Sequence, residues 1–336
     1  MKRKLRGSFL LIPLILASCS SKQNQAHLFV YDTKDAFLNE MTENLASRME
    51  EKGVELKIHD AERKQSTQNS DVMETLPVST GPLFLNLVDR LSASLILEKA
   101  EQNDCPLLFV NREPLKEDIE RSAWSKRNTF YVGADPSYQG LAQSQIAGRY
   151  LPKSAEFASS PFDKNGDGKL QIVLFRGELS HQDAESRTRY CLNGLRSQGF
   201  DLDILEVCYA DWEREKGYEF MKRIDLNEEN VELLLSNNDE MALGAIDYLL
   251  EKNPDREDFI AHHFPIVGVD GTEEGKKAVD EGLMLGTVIN DAEMQASISA
   301  SLYFSFLEGT SLPEGDEKTS VDGNFYRVRG EIYSRI

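Results

Sequence analysis

The alternation of short apolar runs with amphipathic segments is the feature that most limits how this chain can fold. From His27 onward, the apolar runs are predicted strands, and the stretches between them carry apolar residues at helical spacing. The predicted strands are Leu28–Tyr31, Val54–Ile58, Pro82–Leu87, Pro106–Val110, Leu170–Phe175, Ile204–Val207, Val231–Ser236 and Pro265–Val269. The predicted helices include 35–52, 183–197 and 239–251. Strands separated by helices predict parallel sheets with helices on both faces.

The alternation occurs twice, on either side of a polar loop at 163–171. A chain of 336 residues is long enough for two domains, each with its own core. The sequence therefore predicts an α/β protein of two doubly wound parallel-sheet lobes. Ligands of such sheets bind beyond the carboxyl ends of the strands.

Net charge and motifs exclude several classes of function. The formal net charge of -19 argues against nucleic acid, whose binding proteins concentrate positive charge. The sequence has no Gly-x-Ser-x-Gly nucleophile elbow, no Gly-x-Gly-x-x-Gly after the first strand and no P-loop. We expect a binding protein without catalytic residues.

The N-terminus has the pattern of a bacterial lipoprotein signal. A basic start, Met1 to Arg6, precedes the apolar run 9–17, which is too short to span a membrane, and Cys19 follows small residues at its end. We predict a signal peptide at 1–18, lipidation of Cys19 and a tether at 19–26. The mature protein would be extracytoplasmic and anchored to a bacterial membrane by lipid alone.

The other cysteines are Cys105, Cys191 and Cys208, an odd number at spacings that match no metal motif. All three lie within or beside apolar runs, which favours buried free thiols. The sequence alone does not decide whether two of the three form a disulfide bond.

Polar residues follow nearly every predicted strand. Each has an ordinary alternative: Asp183 and Asp239 could be helix N-caps, and Asn111 a turn residue. Their recurrence favours a shared cleft, because carboxylate, amide and guanidinium groups satisfy sugar hydroxyls and flat aromatic rings cover the C–H faces of a sugar. The residues that stand after strands are Asp35, Phe37, Asn111, His181, Asp183, Arg187, Trp212, Asn238, Asp270 and Asn290.

The loop Asp163-Lys-Asn-Gly-Asp-Gly-Lys-Leu-Gln171 has the pattern of a calcium-binding EF-hand loop. Ligand positions 1, 3, 5, 7 and 9 would be filled by Asp163, Asn165, Asp167, the backbone carbonyl of Lys169, and Gln171. Position 12 is Leu174 in place of the usual bidentate glutamate, so a carboxylate from elsewhere must complete the site, or the loop is only an acidic turn.

Together these motifs resemble the periplasmic galactose/glucose-binding proteins, the receptor subunits of sugar ABC transporters. The resemblance rests on the calcium-like loop and on further segments in the family's order. These are Asn86-Leu-Val-Asp89, Phe109-Val-Asn-Arg-Glu-Pro114, Gly177 to Arg187, Ser236 to Gly244, Val267-Gly-Val-Asp270 and Gly286 to Asp291. It covers nearly the whole mature chain and implies the type I periplasmic binding protein fold, with lobes joined by three crossings near 132–135, 290–292 and 326–330.

The resemblance implies a sugar site built from both lobes. Phe37 and Trp212 would sandwich the pyranose ring, and Asp35 would face the hydroxyl that distinguishes glucose from galactose. Asp183 and Arg187 would lie near the anomeric end. The N-terminal lobe would supply Asp35, Phe37 and Asn111. The C-terminal lobe would supply His181, Asp183, Arg187, Trp212, Asn238 and Asp270, with Asn290 near the hinge.

The resemblance also supplies Glu232 as the missing ligand of a structural Ca²⁺. The lobes would comprise 27–132 with 291–326, and 133–290 with 327–336. We expect a monomer that closes on D-glucose or D-galactose by hinge bending and delivers it to an ABC transporter permease. The alternatives are binding of a pentose or nucleoside, a chemotaxis receptor and, less favoured, a sugar-acting enzyme. A repressor with this fold would carry a helix-turn-helix and no lipoprotein signal.

Overall fold

The computed structural model of the protein describes residues 24–179, 181–225 and 230–336. Its strands are β1 Asn24–Val30, β2 Val54–Asp60, β3 Leu83–Leu85, β4 Leu107–Val110, β5 Thr129–Ala134, β6 Leu170–Arg176, β7 Leu202–Tyr209, β8 Leu233–Ser236, β9 Ile266–Asp270, β10 Gly286–Ile289, β11 Thr319–Asp322, β12 Phe325–Val328 and β13 Ile332–Ser334. The predicted signal peptide and Cys19 lie outside the described residues.

Helices connect most of these strands. They are α1 Ala36–Glu51, α2 Gln65–Thr75, α3 Ala93–Gln102, α4 Lys116–Ile119, α5 Ser125–Asn128, α6 Pro136–Tyr150, α7 Ser154–Phe157, α8 Gln182–Ser197, α9 Arg214–Asp225, α10 Asp239–Lys252, α11 Arg256–His262, α12 Glu273–Asp280 and α13 Ala292–Glu308. A 3₁₀ turn, Arg90–Ser92, precedes α3. Within the described residues, none of the helices has both the length and the apolar character needed to span a bilayer.

The strands form two sheets, which confirms the predicted fold class of two doubly wound lobes. The first sheet has the order β11-β12-β5-β4-β3-β1-β2 and the second the order β13-β10-β9-β8-β6-β7. All pairs are parallel except β11 with β12 and β10 with β13. Strands β3, β4, β5, β6 and β8 are buried along their whole length, as expected where helices cover both faces of a parallel sheet.

Both sheets have the same switch in strand order. In the first sheet β1 lies between β2 and β3, and in the second β6 lies between β7 and β8. The chain thus winds outward in opposite directions from the carboxyl ends of β1 and β6. Crevices at such switch points are the usual ligand sites of doubly wound sheets.

The chain passes between the lobes at three places. It leaves the first sheet after Ala134, returns after Ile289, and crosses again between Val328 and Ile332. The crossings are tied together by backbone hydrogen bonds, from Asp135 N to Val328 O (2.8 Å) and from Ile289 N to Glu331 O (2.7 Å). Three short adjacent crossings are the kind of hinge that permits lobe closure.

The structure corrects three predicted boundaries. Strand β1 begins at Asn24, so the last part of the predicted tether, 24–26, is paired with β2 in the sheet. Strand β5 extends to Ala134, beyond the predicted limit at 132, because it pairs with β12 up to Val328. The same pairing moves the end of β12 beyond the predicted limit at 326.

Cys105, Cys191 and Cys208 are buried and free, which confirms the favoured reading of these residues. Burial raises the pKa of the Cys105 thiol to about 11 and that of Cys208 to about 12. A thiol with a raised pKa is protonated at neutral pH and is a poor nucleophile. These cysteines therefore contribute to the cores and not to chemistry.

Candidate functional site

All ten predicted cleft residues line one cavity between the lobes. The side chains around it are Tyr31, Asp35, Phe37, Asn111, Arg112, His181, Asp183, Arg187, Trp212, Asn238, Asp270 and Asn290. They stand at or just beyond the carboxyl ends of β1, β4, β6, β7, β8, β9 and β10. The two sheets thus bring together residues that are far apart in the sequence, from 31 to 290. We call the cavity that these side chains line the central cavity.

In the first lobe, Asp35 has two roles. It is the N-cap of α1, where its Oδ1 accepts from Leu38 N (2.9 Å), and its Oδ2 accepts from the Tyr31 hydroxyl (2.6 Å). Asn111 has a φ of 60°, and its Oδ1 accepts from Asn86 Nδ2 (3.0 Å). Both polar side chains are therefore held in place from below by buried groups of the same lobe.

Arg112 lies at the centre of the cleft and is buried. Its guanidinium stacks over the Tyr31 ring at 3.7 Å and donates to Val88 O (2.7 Å). It also donates to Glu178 Oε2 of the opposite lobe at 2.8 Å. The contact joins the lobes directly. The central cavity has a volume of about 30 Å³ and adjoins a cavity of about 890 Å³, with which it shares Asp35, Phe37, Trp212, Asn238 and Asp270.

In the second lobe, His181 and not Asp183 is the N-cap of α8, because its Nδ1 accepts from Asp183 N (3.2 Å). Burial lowers the pKa of His181 well below its usual value, and the positive charges of Arg112 and Arg187 lower it further. The imidazole is therefore neutral, and with Nδ1 accepting, Nε2 carries the proton. His181 can thus donate one hydrogen bond to a ligand.

Arg187 is buried and fixed on three sides. Its Nε donates to Gln139 Oε1 and its Nη1 to Asn237 O, both at 2.8 Å, and Nη1 lies 3.8 Å from Asp270 Oδ1. The positive charge of this guanidinium acts to lower the pKa values of Asp183 and Asp270. Burial nevertheless raises the pKa of Asp183 to about 6 and that of Asp270 well above its ordinary value.

Trp212 packs directly against the backbone that follows β6. A Cβ on Gly177 would lie 2.0 Å from Trp212 Cζ2, so the absence of a side chain at 177 admits the ring. The His181 ring meets the indole edge-to-face at 5.0 Å between centroids. Asn238, the N-cap of α10 in place of Asp239, donates to Trp212 O (3.2 Å). The indole position is therefore set by contacts on several sides.

The hinge side of the cavity is formed by Asn290. Its Nδ2 donates to Asp270 Oδ1 (3.3 Å), and its Oδ1 accepts from Gln295 Nε2 (2.8 Å). Asp270 itself has a φ of 109°, which is rare for a residue other than glycine. These bonds connect the carboxyl end of β9 to the start of α13.

Sequence reasoning missed Tyr31 and Arg112 as walls of the cavity and Gln139 as a support. Tyr31 and Arg112 each adjoin segments already singled out, so a signal was present. Gln139 lies inside helix α6 without any motif, and its role depends on the close packing of α6 on α8.

The loop at 163–171 lies before β6, outside the cleft. Asp163 accepts from Gly166 N (2.8 Å) and Gly168 N (2.9 Å). Glu232 reaches the loop from the start of β8, accepting from Lys164 N (2.6 Å) and Gln171 N (2.9 Å). The resemblance implied this pairing of Glu232 with the loop, and the two segments are in contact.

The loop residues fit a calcium ion in chemistry, since all the candidate ligands are oxygens. The Oε1 atom of Gln171 is buried and has no hydrogen-bond partner among the described residues. Burial raises the pKa of Glu232, and the charges of Asp163 and Asp167 raise it further, so a cation would relieve this repulsion. In the described part of the chain, however, no three His, Cys, Asp or Glu side chains converge at metal-binding distance.

Two lobes joined by three short crossings, with a polar cavity between them, are the architecture of a hinged ligand-binding protein. The family described as a periplasmic binding protein domain matches residues 27–311, so the chain belongs to this family. One relative is the D-galactose/methyl-galactoside binding periplasmic protein MglB of Haemophilus influenzae, 30% identical over 94% of this chain and 92% of the relative. The ribose import binding protein RbsB of Escherichia coli is 24% identical over 78% of this chain and 77% of its own.

Solved structures share the fold at lower identity. A solute-binding protein from Bacillus halodurans with bound myo-inositol has a TM-score of 0.73 at 21% identity, covering 94% of this chain and 96% of the other. One from Actinobacillus succinogenes with bound D-allose has a TM-score of 0.76 at 17% identity, covering 93% and 98%. At these identities the likeness concerns the fold.

Proposed function

We propose that this protein is the extracytoplasmic binding component of a sugar ABC transporter and that its cleft takes a hexose, D-glucose or D-galactose. The observation that carries the proposal is the convergence of ten predicted side chains, two of them aromatic, on one interlobe cavity. Their mixture of donors, acceptors and flat rings suits a polyhydroxylated ring. The similarity to the Haemophilus influenzae protein supports the same ligand class.

The mechanism we infer is hinge closure. Asp35, Phe37 and Asn111 belong to the first lobe, whereas His181 and Trp212 belong to the second, so a sugar contacts both sets only when the lobes are closed. A ligand that interacts better with the closed form shifts the equilibrium toward it. The closed complex is then the form that the transporter permease would recognise.

Tryptophan fluorescence tests the ligand. The chain has two tryptophans, and Trp124 is remote from the cleft, where it donates to Asp104 Oδ1 (2.7 Å). In a Trp124→Phe background, titration with glucose or galactose should change the emission of Trp212. Ribose, xylose, myo-inositol and allose form the comparison series. Clean binding to one of these, with no response to either hexose, would overturn the proposed ligand.

Two glycine variants test whether the position of Trp212 matters. Gly177→Ala should displace the indole and weaken hexose binding at least about tenfold, because the displaced ring no longer covers its face of the sugar. The matched control is Gly148→Ala, whose new Cβ would meet only the flexible end of Gln198, away from the cleft. Equal affinities for the two variants would contradict the assigned role of Trp212.

We infer a binding role without catalysis. Asp35, Asp183 and Asp270 all line the cavity, and a pair of carboxylates is what a glycosidase needs. Incubation with nitrophenyl glucosides and galactosides should release no nitrophenol. Hydrolysis above the buffer rate that is lost in Asp183→Asn would replace the binding proposal with an enzymatic one.

We also propose that Cys19 carries a lipid that anchors the protein to a bacterial membrane. The support is the signal pattern that ends at this cysteine. Cells expressing the full chain and labelled with palmitate should yield labelled protein in the membrane fraction, and Cys19→Ser should abolish the label. A labelled Cys19→Ser protein would exclude this attachment site.

A further inference from the structure

Two of the five histidines face each other within the first lobe, outside the central cavity. The Nδ1 atom of His27 lies 3.0 Å from the Nε2 atom of His59, and the pair is partly buried. His27 is on β1 and His59 on the neighbouring strand β2. The strand register places His27 opposite Lys57 and His59 opposite Phe29, so the two histidines meet diagonally on one face of the sheet.

A buried aromatic residue of the same face orients both imidazole rings. Phe29 stacks on His59 with 4.4 Å between the ring centroids and 19° between the planes. The Phe29 and His27 rings are also nearly parallel, at 6.5 Å and 17°. Phe29 is 1% exposed and belongs to the core of the lobe. The core therefore holds the two facing nitrogen atoms in place, and little order has to be gained when a ligand binds them.

The distance between the two nitrogen atoms is close to the one that a shared metal ion requires. At a hydrogen-bond distance only one of the two can carry a proton toward the other, so at least one presents a lone pair. Two histidine nitrogens at about 2.0–2.1 Å from one ion are about 3.3 Å apart at a tetrahedral angle and about 2.9 Å apart at a right angle. The observed 3.0 Å lies between these values. A small rotation of the rings, which are inclined by 33°, would aim both nitrogens at one ion.

The histidine pair lines an open cavity of about 630 Å³ between the sheet and helix α2. Besides the histidines, the charged side chains that line it among the described residues are Asp71 and Glu74 of α2 and Lys57 of β2. Two carboxylates against one ammonium group give the cavity an excess of negative charge. This excess favours a divalent cation over an anion.

The types of ligand indicate which class of ion would bind. Imidazole nitrogen suits Zn²⁺, Cu²⁺ and Ni²⁺, whereas Ca²⁺ and Mg²⁺ prefer oxygen. No third His, Cys, Asp or Glu side chain joins the pair at metal-binding distance in the part of the chain that the structure describes. The ion would therefore keep water in its remaining positions, and Asp71 and Glu74 could accept hydrogen bonds from that water.

We propose that His27 and His59 form a site for a divalent transition-metal ion, Cu²⁺ or Zn²⁺, that links β1 to β2. Strand β2 lies at the edge of the first sheet and pairs only with β1. An ion bound to both strands would fasten this edge strand and stabilise the native first lobe. The site is distinct from the proposed sugar site, because neither histidine lines the central cavity.

Calorimetric titration of the full chain with CuCl₂ and with ZnCl₂, at neutral pH and with excess Ca²⁺ present, tests the site. All proteins carry Cys19→Ser, so that this thiol contributes no ligand. One equivalent of metal should bind, Cu²⁺ more tightly than Zn²⁺, and saturation should raise the melting temperature by about 2 °C or more. His27→Gln and His59→Gln should each weaken binding at least about tenfold, because a single nitrogen cannot chelate.

The matched control is His262→Gln, the same change at an exposed histidine of α11 in the second lobe, which should leave the metal affinity unchanged. Electron paramagnetic resonance of the Cu²⁺ complex provides a readout that needs no histidine variant, and it should show two imidazole nitrogens bound to the ion. Loss of binding in His262→Gln but in neither variant of the pair would overturn the site. Absence of one-equivalent binding, or a Cu²⁺ spectrum without two imidazole nitrogens, would also overturn it and would mean that the pair is only a hydrogen bond.

Discussion

Asn111, Trp212 and Asp270 have φ angles of 60°, 69° and 109°, although none of them is glycine. A residue with a side chain in this region costs on the order of 1 kcal/mol or more and persists only where its surroundings hold it. All three line the central cavity. Asn111 and Trp212 come shortly after β4 and β7, and Asp270 is the last residue of β9. Three of the seven non-glycine residues with positive φ in the described part of the chain are therefore positions that our proposal assigns to ligand contact.

The sequence predicted the types of residue in the cleft, but not the contacts that hold their side chains in position. The sequence shows which donors, acceptors and aromatic residues follow the predicted strands. Because parallel strands end at the same edge of a sheet, these residues could be expected to lie close together. The interaction of Arg112 with Tyr31 and Glu178 depends on how the lobes approach each other. No local pattern encodes that distance. Asp183 and Asp239, which the sequence offered as alternative N-caps, lie two residues and one residue after the actual caps, His181 and Asn238.

Asp239 gives a prediction for the pH dependence of stability. It is fully buried, accepts from Thr287 Oγ1 (2.7 Å) and Thr272 N (2.9 Å), and burial raises its pKa to about 7. In the unfolded chain its pKa returns to about 3.9. Between these values the native state binds more protons than the unfolded state, so the free energy of unfolding falls as pH rises.

This contribution is fully present below about pH 4 and lost above about pH 7. Between these limits the unfolding free energy of the unmodified protein, relative to Asp239→Asn, should fall by on the order of 4 kcal/mol. Denaturant unfolding at several pH values measures the difference. Asp247→Asn, the same change at a partly exposed position of α10, is the control. A parallel pH profile for Asp239→Asn and the unmodified protein would contradict the assignment.

At the scale of elements, the sequence predicted most strands of both sheets but missed those at one end of each sheet. Strands β6 and β8 are strongly apolar, and their predicted bounds differ from the structure by at most two residues. Strands β5, β11, β12 and β13 were not predicted. The last three are only three or four residues long, and two of them are stabilised by pairing with β5 and β10. Such strands depend on a sheet edge that no local sequence pattern reveals.

The loop at 163–171 and strand β8 provide a test at this scale. We propose that Ca²⁺ binds between them, held by Asp163, Asn165, Asp167, Lys169 O, Gln171 and Glu232. Chelator should then lower the melting temperature of the unmodified protein by about 5 °C or more, and added Ca²⁺ should restore it, because an ion that binds only the native state stabilises it.

Glu232→Gln should reduce this response to chelator, since it removes a charge that faces the loop. The control is Glu55→Gln, an exposed carboxylate on β2 of the other lobe that accepts a hydrogen bond from Gln25 Nε2 (3.4 Å). Its response should match that of the unmodified protein. A melting temperature that is insensitive to both chelator and Ca²⁺ would show that the loop is an acidic turn without a metal.

At the scale of the whole molecule, two ion pairs join the lobes across the cleft. Arg112 pairs with Glu178, and Arg63 pairs with Glu213 at 2.5 Å while also contacting Asp32 of its own lobe at 2.6 Å. The first pair is mostly buried, and the second is about one-third exposed and therefore weaker. Each pair joins a residue of one lobe to a residue of the other, so both pairs stabilise the closed form in the absence of sugar.

Removal of the two pairs should therefore favour the open form when no sugar is present. In Glu178→Gln with Glu213→Gln, a loss of about 1 kcal/mol for each pair changes the open-to-closed ratio about fivefold per pair. Small-angle scattering should show a larger radius of gyration without sugar, and saturating hexose should reduce it. The control Glu185→Gln breaks a pair with Arg176 inside one lobe and should leave the radius unchanged. If the double variant scatters like the unmodified protein, the two pairs do not control closure, and the packing at the three crossings is the stronger constraint.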